Sequence, residues 1–196
     1  MTKPMILVMA GSTRKQSLHR ALARLTVETL RAAGADAVFA DLRDYPLPLY
    51  DGDLEEEEGR PPAAIELKEL ARRADGFVFA SPEYNGSYPA VLKNAIDWIS
   101  RPDPGERHLA VFRGKPASIV TASPGPHGGS RGLKQLRELL GMIGVVVKDQ
   151  LGIANSGAAF DGAGRLLRTD DLTGLERLTA AVANAAAKEA ADQGKN

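Results

Sequence analysis

Short apolar runs alternate with longer stretches of helical periodicity along most of this chain, and that alternation restricts its fold more than any other feature. Met5-Ile6-Leu7-Val8-Met9-Ala10 is apolar throughout, as a strand buried on both faces should be. Leu18, Leu22, Leu25, Thr29 and Ala33 follow at helical spacing, with Gly34 as a stop. Ala37 to Leu42 reads as a second strand. Ile65, Leu67, Leu70 and Ala74 mark a second helix that ends at Asp75-Gly76. Gly76 to Ala80 is a third strand, and Val91, Leu92, Ala95, Ile96 and Ile99 line the helix after it. Ala117 to Ala122 is a fourth strand, followed by a helix carrying Leu133, Leu136, Leu139 and Leu140. Gly144 to Val147 starts a fifth strand. A last helix takes Leu175, Leu178 and Val182, before an Ala-rich polar tail expected to fray. Five strands alternating with five helices predict a mostly parallel α/β sheet covered on both faces, in one domain spanning residues 1–196.

Two inserts interrupt the pattern. Residues 44–62 carry Pro46, Pro48, the acidic run Glu55 to Glu58 and Pro61-Pro62, and the acidic run reads as a solvated loop in preference to a docking surface. Residues 101–113 form a second, mostly polar segment, read as a lid or a subunit contact.

Composition closes off several functions. Twenty-five basic side chains balance 25 acidic ones, so no net field draws the chain to nucleic acid or to an anionic membrane. The absence of cysteine excludes disulfides, thiol catalysis and Cys-ligated zinc or iron–sulfur clusters. The three histidines, His19, His108 and His127, lack zinc-site spacing, and there is no G-x-S-x-G elbow for a hydrolase. The first ten residues read as a strand rather than a signal peptide, and no run approaches membrane-spanning length, so a cytoplasmic protein is expected.

In such sheets ligands bind beyond the carboxyl ends of the strands, where the winding reverses. The loops after the first, third and fourth strands are the three most unusual in the chain. The first runs from Gly11 to Ser17 and opens a helix, where unpaired N–H groups make a seat for phosphate. Ser12, Thr13 and Ser17 offer hydroxyls and Arg14 a charged fork; alternatively Ser17 only caps the helix and Arg14 is a surface charge. Neither the dinucleotide nor the triphosphate glycine fingerprint is present, which favours a mononucleotide phosphate. The second loop, Ser81 to Pro89, combines Pro82, Gly86 and Pro89 with Asn85-Gly86, a pair that favours positive φ. It suits a backbone aimed at a planar heterocycle with Tyr84 alongside, or an ordinary strand-to-helix turn. Glu83 is the one loop carboxylate available as a base, although a backbone-fixing role suits it better. In the third loop five of the eight residues from Gly125 to Gly132 are Gly or Pro. Close approach of backbone to a ligand explains them, as would a flexible hinge. His127 there is a possible polar contact, with no feature that selects it.

Four stretches in order resemble the NADPH-dependent FMN reductase family, a group that includes bacterial quinone, azo-dye and chromate reductases. They are Gly11-Ser-Thr-Arg-x-x-Ser17, Leu47-Pro-Leu-Tyr-Asp51, the run from Pro82 to Trp98, and Ser123-x-Gly-x-x-Gly-Gly-x-Arg131. The resemblance implies a flavodoxin-like three-layer sandwich, a five-stranded parallel sheet in the order 2-1-3-4-5. It further implies FMN as cofactor, NADPH or NADH as donor, and a small acceptor such as a quinone, free flavin, azo compound or metal oxyanion, reached by ping-pong hydride chemistry. It also implies a homodimer or homotetramer. Carried over to this chain, Ser12, Arg14 and Ser17 would hold the FMN phosphate. Pro82, Glu83, Tyr84, Asn85 and Gly86 would line the isoalloxazine, with Ser123, Gly125 and Gly128 on the other side. No side chain is expected to be catalytic, since the flavin carries the chemistry. The family often has Asn where this chain has His19. Arg14, Arg20 and Arg101 are candidates for a 2′-phosphate contact that would favour NADPH. The competing reading is a flavodoxin-type electron carrier without turnover, which the zero net charge disfavours.

Overall fold

In the computed structural model, which describes residues 3–193, five parallel strands pair in the order β2-β1-β3-β4-β5. They are β1 (Met5–Ala10), β2 (Asp36–Asp41), β3 (Gly76–Ala80), β4 (Pro116–Ala122) and β5 (Val146–Ile153). Among the described residues the helices are α1 (Leu18–Ala32), α2 (Gly52–Glu58), α3 (Pro62–Arg73), α4 (Ala90–Ile99), α5 (Ser130–Met142), α6 (Ser156–Ala159) and α7 (Thr169–Gln193). The order matches the flavodoxin-like expectation.

Strand parity builds two cores. Ile6, Val8, Ala10, Val78, Ala80 and Val120 face one side, where Leu22, Val27 and Leu30 of α1 meet Leu175, Leu178 and Val182 of α7. Leu7, Met9, Phe77, Phe79 and Ile119 face the other, against Leu67 of α3, Leu92 and Ile96 of α4, and Leu136 and Leu140 of α5. Both faces of β1, β3 and β4 are covered, which is why these strands read as unbroken apolar runs.

The edges depart from the sequence reading. β5 starts at Val146 rather than Gly144 and runs to Ile153, with alternating exposure and a bulge opposite Ala117/Ser118. An edge strand buries one face only, so Lys148, Asp149 and Gln150 hide it from a search for apolar runs. The Ala-rich tail does not fray within the described residues: α7 continues through it to Gln193 and buries Ala186 completely. The last three residues of that tail lie outside the described residues.

Both inserts are more ordered than expected. The acidic run sits on α2, capped by the Asp51 carboxylate accepting from the Asp53 N–H at 2.9 Å. Glu55 accepts from Tyr50 Oη at 3.0 Å and from Arg101 Nε at 2.8 Å, while the rest of the run is exposed. The segment 101–113 is fastened to α3. The buried Lys68 Nζ donates to Glu106 and to the Arg101 carbonyl, both at 2.5 Å, Arg60 and Arg72 pair with Asp103, and Val111 and Phe112 enter the core. That anchorage leaves little freedom for a lid.

Two of the motif stretches support each other away from the loops. Pro48 O accepts from Asn94 Nδ2 and Trp98 Nε1, and Asn94 Oδ1 accepts from the Tyr50 N–H, each at 2.8 Å. Tyr50 and Trp98 meet edge to face with ring centres 5.1 Å apart.

Candidate functional site

From β1 the chain first adds β2 on one side and later β3 on the other, so the loops after β1 and β3 part at the switch in winding. A cavity of about 350 Å³ opens there. The first loop and α1 line it with Ser12, Arg14, Ser17 and His19, the second loop with Pro82, Glu83 and Tyr84, and the third loop and α6 with Ser123 and Ser156.

The first loop is shaped by its own hydroxyls. Ser12 is buried, and its Oγ accepts from the Arg14 N–H at 3.4 Å. Ser17 is the N-cap of α1, with extended backbone and Oγ accepting from the Arg20 N–H, also at 3.4 Å. Both bonds are long, so the hydroxyls remain good partners for an incoming anion. Among the described residues Arg14 has no partner for its guanidinium, whereas Arg20 is held by Asp41 and the Lys15 carbonyl, and Arg101 by Glu55. Arg14 is therefore the one of the three cationic candidates left available.

In the second loop, Tyr84 and Ser87 exchange backbone hydrogen bonds at 2.9 and 3.0 Å around Asn85 (φ 52°) and Gly86 (φ 77°). Positive φ at both central residues defines a tight primed turn, as the Asn-Gly pair suggests. The turn carries Asn85 and Gly86 out of the cavity into a neighbouring surface groove with Arg131 and Lys134. Glu83 Oε2 accepts from the Gly132 N–H at 2.8 Å. Gly129, the N-cap of α5, has no side chain to offer, so Glu83 caps that helix from outside and locks the second loop to the third.

The glycines of the third loop have a cause that neither ligand approach nor a hinge supplies. Gly128 has φ +54°, and a Cβ there would lie 2.8 Å from Gly152 C and 2.9 Å from its O. At Gly129 (φ +73°) a Cβ would lie 2.7 Å from Thr121. Both are required by packing against β4 and β5. Gly125 and Gly128 do not line the cavity, and His127 is exposed outside it. Gly125 instead donates its N–H to Ser123 Oγ at 3.3 Å and accepts from the Asn155 N–H at 3.1 Å.

His19 and Ser156 were not expected in the cavity wall. His19 is 7% exposed, and its Nε2 accepts from the Ala122 N–H at 3.1 Å with Thr121 Oγ1 at 3.5 Å. Burial lowers its imidazole to about 4, so the ring is neutral near pH 7. Ser156 arrives through α6, whose N-cap Asn155 has φ 50° and whose Ser156 N–H donates to the Ser123 carbonyl at 2.9 Å. Among the described residues no group of three His, Asp or Glu is set to hold a metal, and no helix is long and apolar enough to cross a membrane.

The model of the family described as NADPH-dependent FMN reductase matches residues 4–158. A quinone reductase of Escherichia coli is 40% identical over 149 residues, covering 76% of this chain and 75% of that protein. An NAD(P)H-dependent FMN reductase of Pseudomonas aeruginosa is 39% identical over 164 residues, covering 83% and 84%. Among solved structures, the flavoenzyme NAD(P)H:(acceptor) oxidoreductase FerB of Paracoccus denitrificans superposes with a TM-score of 0.79 at 29% identity, covering 94% of this chain and 98% of that one.

Proposed function

The chain belongs to the NADPH-dependent FMN reductase family, and from that premise we propose that its cavity binds FMN and that the enzyme passes electrons from NAD(P)H to a small acceptor in two half-reactions. The observation that carries the reading is the convergence of a free Arg14, two buried hydroxyls and an α1 N-terminus at one end of a cavity walled by the second and third loops. That end suits a phosphate monoester, because helix N–H groups and a guanidinium both favour a dianion. The cavity volume falls in the range of about 300–1,000 Å³ usual for small-molecule sites.

In this reading Ser12, Arg14 and Ser17 hold the phosphate, Pro82, Glu83 and Tyr84 border the ring system, and Ser123 and Ser156 close the far wall. FMN bound there would supply two-electron redox chemistry between the nicotinamide donor and the acceptor. The residues of the chain orient and enclose; Glu83, committed to the Gly132 N–H, is a fixing group rather than a base. Quinones head the proposed acceptors, by analogy with the Escherichia coli relative, followed by free flavins, azo compounds and metal oxyanions. A homodimer or homotetramer is proposed as the working unit.

The test is a visible spectrum of the protein loaded with FMN, before and after anaerobic NADPH. A flavin spectrum that bleaches supports the reductase. A spectrum that persists with both NADPH and NADH overturns it in favour of an electron carrier, and failure to bind FMN overturns the site itself.

A further inference from the structure

His19 divides its two ring nitrogens between the fold and the cavity. Nε2 accepts from the Ala122 N–H at 3.1 Å, which ties the second residue of α1 to the last residue of β4. An acceptor nitrogen carries no proton, and a neutral imidazole holds its one proton on the other nitrogen. That nitrogen, Nδ1, finds no hydrogen-bond partner among the described residues, and it is not sealed off, because no fully buried side-chain nitrogen or oxygen among them is left unsatisfied. The residue lines the cavity and is itself more than nine-tenths buried. The ring thus keeps one unpartnered donor on a residue that lines the same cavity as Ser17 and Arg14.

We propose that His19 is a ligand-binding residue fixed as the Nδ1–H tautomer by the Ala122 amide, and that it donates to the phosphate of the bound mononucleotide. The proposal rests on the FMN reading above and extends it to a position where this chain departs from the Asn frequent in the family. Burial supports the neutral form, since nothing beside the ring offsets the cost of charging it. A neutral donor of this kind keeps its single proton directed at the ligand, while the other nitrogen aligns the end of β4 with the first loop.

Two isosteric substitutions separate the functions. Asn places an amide where Nδ1 stands and reaches no further; Gln places an oxygen where Nε2 stands. H19N is expected to bind FMN within about threefold of the wild type but to unfold at lower temperature, because the Ala122 N–H loses its acceptor. H19Q is expected to keep the wild-type unfolding temperature and to lose about ten- to a hundredfold in FMN affinity, the range of one hydrogen bond to a charged group. Riboflavin, which lacks the phosphate, should bind wild type and H19Q alike. Nitrogen-15 NMR of histidine-labelled apo protein should show His19 as the Nδ1–H tautomer, assigned by its loss in H19Q, with the Nδ1 resonance moving when FMN is added. The proposal is overturned if H19Q binds FMN as the wild type does, if the apo tautomer is Nε2–H, or if H19Q loses riboflavin as severely as FMN. Absence of FMN binding by the wild type would instead overturn the cofactor reading, while the tautomer measurement would still test the Ala122 arrangement.

Discussion

Gly128 offers a test of why the third loop is rich in glycine. If the residue is glycine because backbone must approach a ligand, Gly128→Ala should reduce FMN affinity and leave the apo protein stable. The structure argues otherwise. The new Cβ would sit 2.8 Å from Gly152 C and 2.9 Å from its O, against backbone that no side-chain rotation can move, at φ +54°. A left-handed conformation costs alanine about 1–2 kcal/mol, and overpacking of this kind about 1–3 kcal/mol. The sum, about 2–5 kcal/mol, corresponds to a fall of about 4–20 °C in unfolding temperature for a domain of this size.

Neighbouring glycines supply the internal scale. Gly152→Ala meets the same contact from the other side, with Gly128 O 2.6 Å from its Cβ and no positive φ, so it should cost less than Gly128→Ala. Gly125→Ala meets only Ser123 Oγ at 3.8 Å and should fall within about 0.5 kcal/mol of the wild type. The assay is thermal unfolding of the flavin-free protein, followed by circular dichroism. The expected order of destabilisation is Gly128, then Gly152, then Gly125. Gly128→Ala unfolding within 2 °C of the wild type, on the order of 0.5 kcal/mol, would refute the reasoning and return the glycine to a ligand role.

Three further outcomes are expected. Arg14→Ala, which removes no side-chain hydrogen bond or ion pair among the described residues, should leave the unfolding temperature unchanged within about 1 °C and weaken FMN about tenfold or more without affecting riboflavin; equal losses for both flavins would remove Arg14 from the phosphate. Glu83→Ala should cost about 1 kcal/mol by uncapping α5, whereas Glu83→Gln keeps an oxygen for the Gly132 N–H and most of the turnover; a Gln variant that is folded but inactive would make Glu83 a proton-transfer group. His19 titrates near 4 when folded against 6.5 as an ordinary histidine, so the unfolded chain takes the proton first. Its contribution to stability is therefore whole above pH 6.5 and lost as pH falls through 4, by about 3 kcal/mol. Denaturant titrations of wild type and His19→Gln, equal near neutral pH, should diverge across that window as the wild type alone loses stability toward low pH, and a constant difference would show that the ring is not buried as described.

The parallel sheet was legible because β1, β3 and β4 are covered on both faces, so burial and sequence pattern coincide residue by residue. The same rule blurred the extent of β5, whose start was read two residues early at Gly144 and whose middle carries Lys148, Asp149 and Gln150 at the edge of the sheet. α2 was misread for a related reason. A seven-residue helix that buries none of its side chains has no apolar periodicity to reveal it, and only the Asp51 cap marks its start. The turn at Asn85-Gly86 was readable because its conformation is chosen locally, by two residues that tolerate positive φ.

The cavity wall divides along the same line between local and distant causes. Ser12, Arg14 and Ser17 stand out because a strand, a tight turn and a helix cap occur within a few residues of one another. His19 does not, because what gives it meaning is an amide 103 residues away on an alanine, a residue type that signals nothing about polar contacts. Gly128 is the converse case. A glycine in a loop suggests ligand approach or flexibility, yet here it is demanded by Gly152, a second glycine whose own Cβ would fall 2.6 Å from Gly128 O. Paired glycines at touching backbones leave no chemical trace apart from their both being glycine. Sequence motifs therefore pointed to the loops that border this cavity, while the division of their residues between holding the loops together and facing the cavity is set by contacts between segments that lie far apart in the chain.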